Sequence, residues 1–265
     1  MKCSSSFYIP VTYTLSTRIV SIKQFISWVI IYVIPMLFIC LLYRGAINIF
    51  DVFISALSIL LVYNNYELGY IYNDTERIKK EKKPTIRLSI SNLDFYQSHK
   101  ASIIICRLII SLALSFFIYY KHGNIAFILS AWTILFVFYM YNLTFSSWGI
   151  FLHLLLVSLR YCSIALLFGV LNINLLFLFL LFPFPNSVER TKEKKFRINI
   201  FRSVLQDIDK FRFYYYLLLF VCVFTYNLLP AAELNVYMVA FSIYYLLYRA
   251  MIYFCNLRSL KNIIE

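Results

Sequence analysis

Histidine, paired cysteines and glycine-rich loops are scarce or missing in this chain of 265 residues. Only 3 histidines occur, and they are dispersed, which argues against a histidine-based metal site. The 6 cysteines are scattered without a C-x-x-C pair, so neither a zinc site nor a redox motif is indicated. There is also no glycine-rich phosphate loop and no serine nucleophile elbow. These absences argue against a soluble kinase, hydrolase or cysteine enzyme.

Charge is sparse as well, since charged residues make up 14% of the chain while hydrophobic residues make up 62% and aromatic residues 20%. With a mean hydropathy of +0.76, this composition lies outside the range of soluble globular domains. Long apolar runs predict an all-α polytopic membrane helix bundle that forms a single transmembrane domain over residues 1–265.

Hydropathy predicts about eight transmembrane helices, because a hydrocarbon core takes about 20 apolar residues per helix. The sixth span is short and ends at Pro183 and Pro185. The predicted spans cover residues 25–43, 49–72, 100–120, 124–142, 147–171, 172–184, 212–231 and 234–256.

The distribution of positive charge predicts the orientation of these spans. Residues 1–23 contain no apolar run of signal-peptide length, so the N-terminus is expected in the cytoplasm. Eight spans then place loops 73–99 and 185–211 and the C-terminus on the same side, where basic residues collect as the positive-inside rule requires. This topology explains the net charge of +13. Because no nucleic-acid module is present, nucleic acid is not an expected partner.

Acidic and basic residues concentrate in two polar runs, Asn73–Pro84 and Glu189–Lys195, each of which follows an even-numbered span. Either run alone is better explained as a solvated helix end, because mixed charge is common in short cytoplasmic loops. Both runs, however, place acidic or polar residues four positions apart. This repetition favours a shared site at one membrane surface, with the two runs facing each other.

Helical spacing within each run defines the candidate site. If the second span continues as a helix past Asn73, then Asn73, Arg77 and Glu81 lie on one face. In the second run Glu189 and Glu193 are also four residues apart. Oxygen ligands at this spacing suit a hard cation such as Mg²⁺, and the interleaved lysines and arginines suit a diphosphate.

The first run resembles a known family motif. Its pattern Asn73-Asp74-x-x-Arg77-x-x-x-Glu81 is similar to the N-D-x-x-D-x-x-x-D motif after the second helix of the UbiA superfamily of intramembrane prenyltransferases. A basic, proline-containing tail follows here as in that family: Lys82, Lys83, Pro84 and Arg87. The departures are Arg77 in place of the central aspartate and Glu81 in place of the last one.

The second run, Glu189-x-x-x-Glu193 followed by Lys194, is similar to the D-x-x-x-D-type motif after the sixth helix of the family. The family usually has nine helices, one more than predicted here. The resemblance implies an Mg²⁺-dependent transferase that moves an isoprenyl group from an isoprenoid diphosphate to an acceptor within the membrane.

The resemblance also implies residue roles. The expected catalytic acids and metal ligands are Asp74, Glu81, Glu189 and Glu193, with Glu76 as a further metal ligand after a small change in helix register. The expected substrate-binding residues are Asn73, Arg77, Lys83, Arg87, Arg160 and Lys194. An aromatic lining would stabilise an allylic cation, and 23 tyrosines and 26 phenylalanines are available for it.

Two alternative functions remain open. One is the superfamily branch that transfers phosphoribose from phosphoribosyl diphosphate to a polyprenyl phosphate. The other is a non-catalytic membrane binder or transporter with a decayed metal site, in which Arg77 holds a phosphate by charge pairing without metal.

Arg160 lies near the middle of the fifth predicted span, where a charge is costly and usually functional. Related proteins place an arginine near this point, which implies contact with phosphate. A structural pairing with Glu67 is equally open. Glu67 is expected to line the same cavity as Asp74 at greater depth, and Asp207 is expected to cap the seventh span.

Overall fold

The computed structural model of the protein describes residues 5–81, 84–170, 173–193, 205–229 and 235–264, with side chains to Asn256 in the last range. Within these ranges all regular structure is helical, so the predicted all-α class is confirmed. Six helical segments there are long and apolar enough to cross a membrane. They are Ile22–Arg44, Ile49–Lys80, Ile90–His122, Ile125–Leu143, Gly149–Leu167 and Val236–Asn256. The count of eight and the cytoplasmic termini stay predictions.

The α-helices, in chain order, are α1 (Thr12–Thr17), α2 (Ile22–Trp28), α3 (Ile34–Leu37), α4 (Leu41–Arg44), α5 (Ile49–Thr75), α6 (Ile90–His122), α7 (Ile125–Leu143), α8 (Gly149–Leu167), α9 (Ile173–Leu181), α10 (Pro183–Arg190), α11 (Ile208–Asn227) and α12 (Val236–Ile264). A π-helical turn, Val29–Val33, joins α2 to α3, and 3-10 turns occupy Ser5–Phe7 and Arg77–Lys80.

The sixth and seventh predicted spans differ most from simple transmembrane helices. α9 has 9 residues, about 14 Å at 1.5 Å per residue, and cannot cross a hydrocarbon core of about 30 Å. A turn at Phe182 separates it from α10, which starts at Pro183 because proline is favoured in the first helical turn. α11 carries charged residues in its first turn, and Asp207 caps it by accepting a hydrogen bond from the Lys210 backbone N–H at 3.0 Å, as predicted.

Helix α5 lies at the centre of the bundle and packs against α1, α3, α6, α7 and α8. Gly69 brings α5 and α7 close together, because a Cβ at this position would lie 2.1 Å from Cγ of Phe138. The Asn142 side chain also donates to the Gly69 carbonyl at 3.0 Å. Helices α11 and α12 form a second packed pair, which α9 and α10 connect to the rest.

A buried ion pair joins α5 to α6. Arg107 Nη1 lies 2.8 Å from Glu67 Oε2, and both side chains are fully buried. Arg107 also donates to Asn64 Oδ1 at 2.9 Å. Glu67 therefore pairs with Arg107; the alternative pairing with Arg160 is not formed, and Glu67 lines neither of the two large cavities described below.

The same ion pair anchors the N-terminal segment, residues 5–18. Glu67 accepts hydrogen bonds from the backbone N–H groups of Val11 and Thr14, at 2.9 and 2.5 Å. Arg107 donates to three backbone carbonyls, those of Ser6, Phe7 and Ile9, at 3.0, 2.8 and 3.0 Å. Because one buried pair satisfies these backbone groups, the segment is held against α5 and α6.

Candidate functional site

Asp74 lies in the last turn of α5 and is buried. Its carboxylate accepts a hydrogen bond from the Tyr13 hydroxyl at 3.0 Å and from the Asn73 amide at 3.1 Å. Arg18 contacts both carboxylate oxygens, at 2.9 and 2.8 Å, and Arg87 contacts one of them at 3.2 Å. Two guanidinium groups thus stand where a metal ion would be expected.

The first polar run is not a continuous α-helix, so that prediction is wrong beyond Thr75. α5 ends at Thr75, the 3-10 turn Arg77–Lys80 follows, and the backbone of Glu81 is extended with φ −86° and ψ 134°. Asn73, Arg77 and Glu81 still line one cavity.

Arg77, the residue in place of the central aspartate of the family motif, caps helix α7. Its Nη1 and Nη2 donate to the carbonyls of Tyr141 and Thr144, at 3.1 and 3.3 Å, and its guanidinium lies 4.9 Å from the ring centroid of Phe145. Its Nε is 3.0 Å from Glu81 Oε1, an ion pair without hydrogen-bond geometry. The Tyr141 carbonyl already accepts the Thr144 backbone N–H, so Arg77 adds a second donor there and supplies the Thr144 carbonyl beyond the end of the helix.

A cavity of about 750 Å³ opens between the two polar runs, and we call it the basic cavity. Its acidic lining residues, Glu81 and Glu193, come from different runs. Its basic lining residues are Arg18, Arg77, Lys80, Arg87 and Arg190. With Asp74 paired behind its wall, five basic side chains against three carboxylates leave two positive charges in excess. Such a cavity suits a polyanion.

The two glutamates of the second polar run point to different places. Glu193 forms an ion pair with Arg190 in the basic cavity. Partial burial disfavours the charge on Arg190, but the Glu193 carboxylate outweighs it and raises the pKa of Arg190 above its ordinary value. Glu189 instead faces α11, where it accepts two hydrogen bonds of 2.7 Å from Arg212 Nε and Nη2. This bidentate geometry is the strongest an arginine and a carboxylate form.

Among the described residues, Glu76 is a predicted metal ligand that does not line the basic cavity. Glu76 pairs with Lys79 and Lys100, each at 2.9 Å, on the α6 side of the chain. Lys83 and Lys194 lie outside the described residues. Glu76 is therefore not placed to replace a missing aspartate of the motif.

A second cavity, of about 770 Å³, adjoins the first, and we call it the tyrosine cavity. The two cavities share Arg18 and Tyr70, and the Arg18 guanidinium lies 4.5 Å from the Tyr70 ring centroid. The tyrosines that line it are Tyr32, Tyr63, Tyr70, Tyr161, Tyr216 and Tyr248. Glu189 and Arg160 line this cavity and not the basic one.

The acids present do not fit a Mg²⁺ site. Among the residues that the structure describes, no three His, Cys, Asp or Glu side chains come together to hold a metal ion. Every acid of the polar runs that lines one of the two cavities is paired with an arginine: Glu81, Glu189 and Glu193. Asp74 is paired with two arginines. Because Mg²⁺ needs near-octahedral oxygen ligands, these occupied carboxylates are poorly suited to it.

Four residues of the site were not predicted from sequence: Tyr13, Arg18, Lys80 and Arg190. Lys80 and Arg190 lie inside the polar runs, so their charge was a usable signal. Arg18 lies 56 residues from Asp74, and nothing in the sequence connects the two. Only the folding of the N-terminal segment over α5 brings them together.

No protein family, no curated protein and no solved structure matches this chain. The UbiA resemblance therefore stays a prediction that depends on the residues of the two polar runs, and the functional conclusion has to come from the chemistry of the two cavities.

Proposed function

We propose that the protein binds the phosphate or diphosphate headgroup of an isoprenoid lipid in the basic cavity, and that arginine and lysine side chains neutralise it. One observation carries this proposal: every carboxylate at the cavity is already paired with arginine, yet cations remain in excess. Lys80 has no carboxylate partner among the described residues, and an anionic ligand would supply one.

Hydrogen-bond donors are also left over. Arg18 Nη1 is buried without a hydrogen-bond partner, while its Nη2 bonds to Asp74. Arg87 is one-third exposed and bonds to Asp74 through Nη1. A guanidinium carries five N–H donors in a planar fork that matches phosphate oxygens. A bound phosphate would therefore satisfy a buried donor that otherwise destabilises the site.

The cavity walls accommodate the start of an apolar chain, because Phe138, Tyr141 and Phe145 line it beside the cations. The isoprenoid nature of that chain follows from the UbiA resemblance. Phosphate binding by itself follows from the charges and the unpaired donors.

Binding of a nonhydrolysable farnesyl thiodiphosphate to the purified protein in detergent tests this proposal. We expect the affinity to be the same with Mg²⁺ and with EDTA. A Lys80→Gln/Arg190→Gln variant should bind at least about tenfold more weakly, since a charged hydrogen bond contributes about 1.5–3 kcal/mol. Lys121→Gln is the matched control, because Lys121 lies in the last turn of α6 and does not line the basic cavity. Binding that requires Mg²⁺, or that the double variant leaves unchanged, would overturn the proposal.

A second candidate function is transfer, of a prenyl or a phosphoribosyl group, as the resemblance implies. One observation favours it: Glu81 and Glu193 belong to separate polar runs but line the same cavity. Competition by phosphoribosyl diphosphate distinguishes the two donors. Alanine at Asp74, Glu81, Glu189 and Glu193, one at a time, should abolish transfer of a radiolabelled group without preventing membrane insertion. Turnover by all four variants would reject transfer through these acids.

A further inference from the structure

Two arginines of the tyrosine cavity lack the partners that the arginines around the basic cavity have. Arg160 and Arg249 line the tyrosine cavity, and neither pairs with a carboxylate among the described residues. Arg249 is only 5% exposed. The Nε atoms of both residues are buried without a hydrogen-bond partner.

Aromatic rings hold both guanidinium groups in place. Arg249 lies 5.7 Å from the ring centroid of Tyr216 and 5.4 Å from that of Tyr248. Arg160 lies 5.0 to 5.6 Å from the ring centroids of three tyrosines: Tyr32, Tyr66 and Tyr161. Ring faces stabilise a cation, but they do not satisfy N–H donors that point along its edge.

An apolar lipid chain alone would therefore be a poor ligand for this cavity. It would exclude water from two positive charges and leave their donors unpaired, which is costly in a medium of low dielectric constant. An anionic group removes both costs, because it pairs with the charge and accepts the hydrogen bonds.

The rim of the tyrosine cavity indicates that such a ligand carries an apolar chain. Ile26 of α2 and Met251 of α12 lie on it, and they are 49% and 56% exposed. Both belong to segments that are apolar enough to cross a membrane. A ligand that enters between α2 and α12 therefore passes apolar side chains before it reaches the arginines.

We infer that the tyrosine cavity is a second ligand site for an amphiphile with one anionic group, phosphate or carboxylate, on an apolar chain. Arg160 and Arg249 bind the anion, and the tyrosine rings contact the adjoining chain. The inference is independent of what the basic cavity binds, so the protein holds two ligands side by side, separated by the stacked Arg18 and Tyr70.

Trp28 provides a local probe, because it lines the tyrosine cavity and donates to the Tyr63 hydroxyl. Its fluorescence can be isolated by replacing the other two tryptophans, in a Trp132→Phe/Trp148→Phe protein. This protein, which also carries Lys80→Gln/Arg190→Gln to weaken anion binding in the basic cavity, is titrated with oleyl phosphate, oleate and oleyl alcohol. We expect the phosphate or the carboxylate to bind at least about tenfold more tightly than the alcohol.

Charge variants then assign the site. Arg249→Gln and Arg160→Gln should each weaken binding of the anionic probe about tenfold and leave oleyl alcohol unchanged, whereas Arg249→Lys should retain most of the affinity. Lys121→Gln is the control. Equal affinity for the alcohol and the anions, or full anion affinity in both Gln variants, would overturn the inference; if Arg249→Gln does not fold, Arg160→Gln and Arg249→Lys decide it.

The two proposals can fail separately. Loss of farnesyl thiodiphosphate binding in every condition, with retained Trp28 response to the anionic probe, would reject the basic cavity alone. The reverse result would reject the tyrosine cavity alone.

Discussion

The substitution Glu67→Gln removes one charge from the buried pair that anchors the N-terminal segment. The side chains of Glu67 and Arg107 are both 0% exposed and lie 2.8 Å apart. Glutamine has nearly the same shape, so no cavity is created, but the Arg107 charge is left buried and uncompensated. Breaking a buried ion pair in this way costs about 3–5 kcal/mol.

A second effect acts in the same direction. The Glu67 carboxylate accepts two backbone N–H groups, from Val11 and Thr14, in addition to Arg107. Glutamine has one acceptor oxygen, so at least one N–H must face an amide donor. The N-terminal segment should therefore loosen, and with it the contact of Arg18 with Asp74.

The assay is thermal unfolding of the purified protein in detergent, together with limited proteolysis of residues 5–18. At about 2–4 °C per kcal/mol, Tm should fall by about 6–20 °C, and the N-terminal segment should be cleaved first. Glu76→Gln is the control, because its pairs with the half-exposed Lys79 and Lys100 should each contribute less than about 1 kcal/mol.

Removing both charges tests the cause. Glu67→Gln/Arg107→Gln should be less destabilised than the sum of the two single variants, because no unpaired charge remains. A Glu67→Gln protein within about 1 kcal/mol of the parent, with residues 5–18 still protected, would refute the anchoring function of the pair.

Three further predictions concern packing, capping and topology. Gly69→Ala should destabilise the protein by about 1–3 kcal/mol, because the new Cβ meets the Phe138 ring. Adding Phe138→Leu to the same chain should restore part of the lost melting temperature. An unchanged melting temperature in both variants would contradict the close approach of α5 and α7. Arg77→Gln should speed proteolysis at the end of α7, since the Thr144 carbonyl loses the Arg77 donor and the Tyr141 carbonyl keeps only the Thr144 backbone N–H. Equal cleavage rates would argue against the cap. Cysteines placed at Lys82 and Lys194 should be labelled from the same, cytoplasmic, side, and labelling from opposite sides would defeat a site shared by the two polar runs.

The helical class and the two polar runs could be predicted from the sequence, because both depend on local patterns. Apolar runs of about 20 residues specify membrane helices whatever they pack against. Charge clusters at the ends of such runs are visible in the same way, and five predicted residues line the basic cavity: Asn73, Arg77, Glu81, Arg87 and Glu193. The capping of α11 by Asp207 is equally local.

The partner of each charge was decided only by the tertiary structure. The motif arrangement of Asp74, Arg77 and Glu81 suggested a metal site, whereas folding places Arg18 and Arg87 on Asp74 and turns Arg77 onto the end of α7. The pairing of Glu67 with Arg107 and the isolation of Arg160 also depend on which helices touch. Contacts between residues distant in sequence carry no local signal, so the sequence by itself determined where the charges are, and packing decided which of them remain available to a ligand.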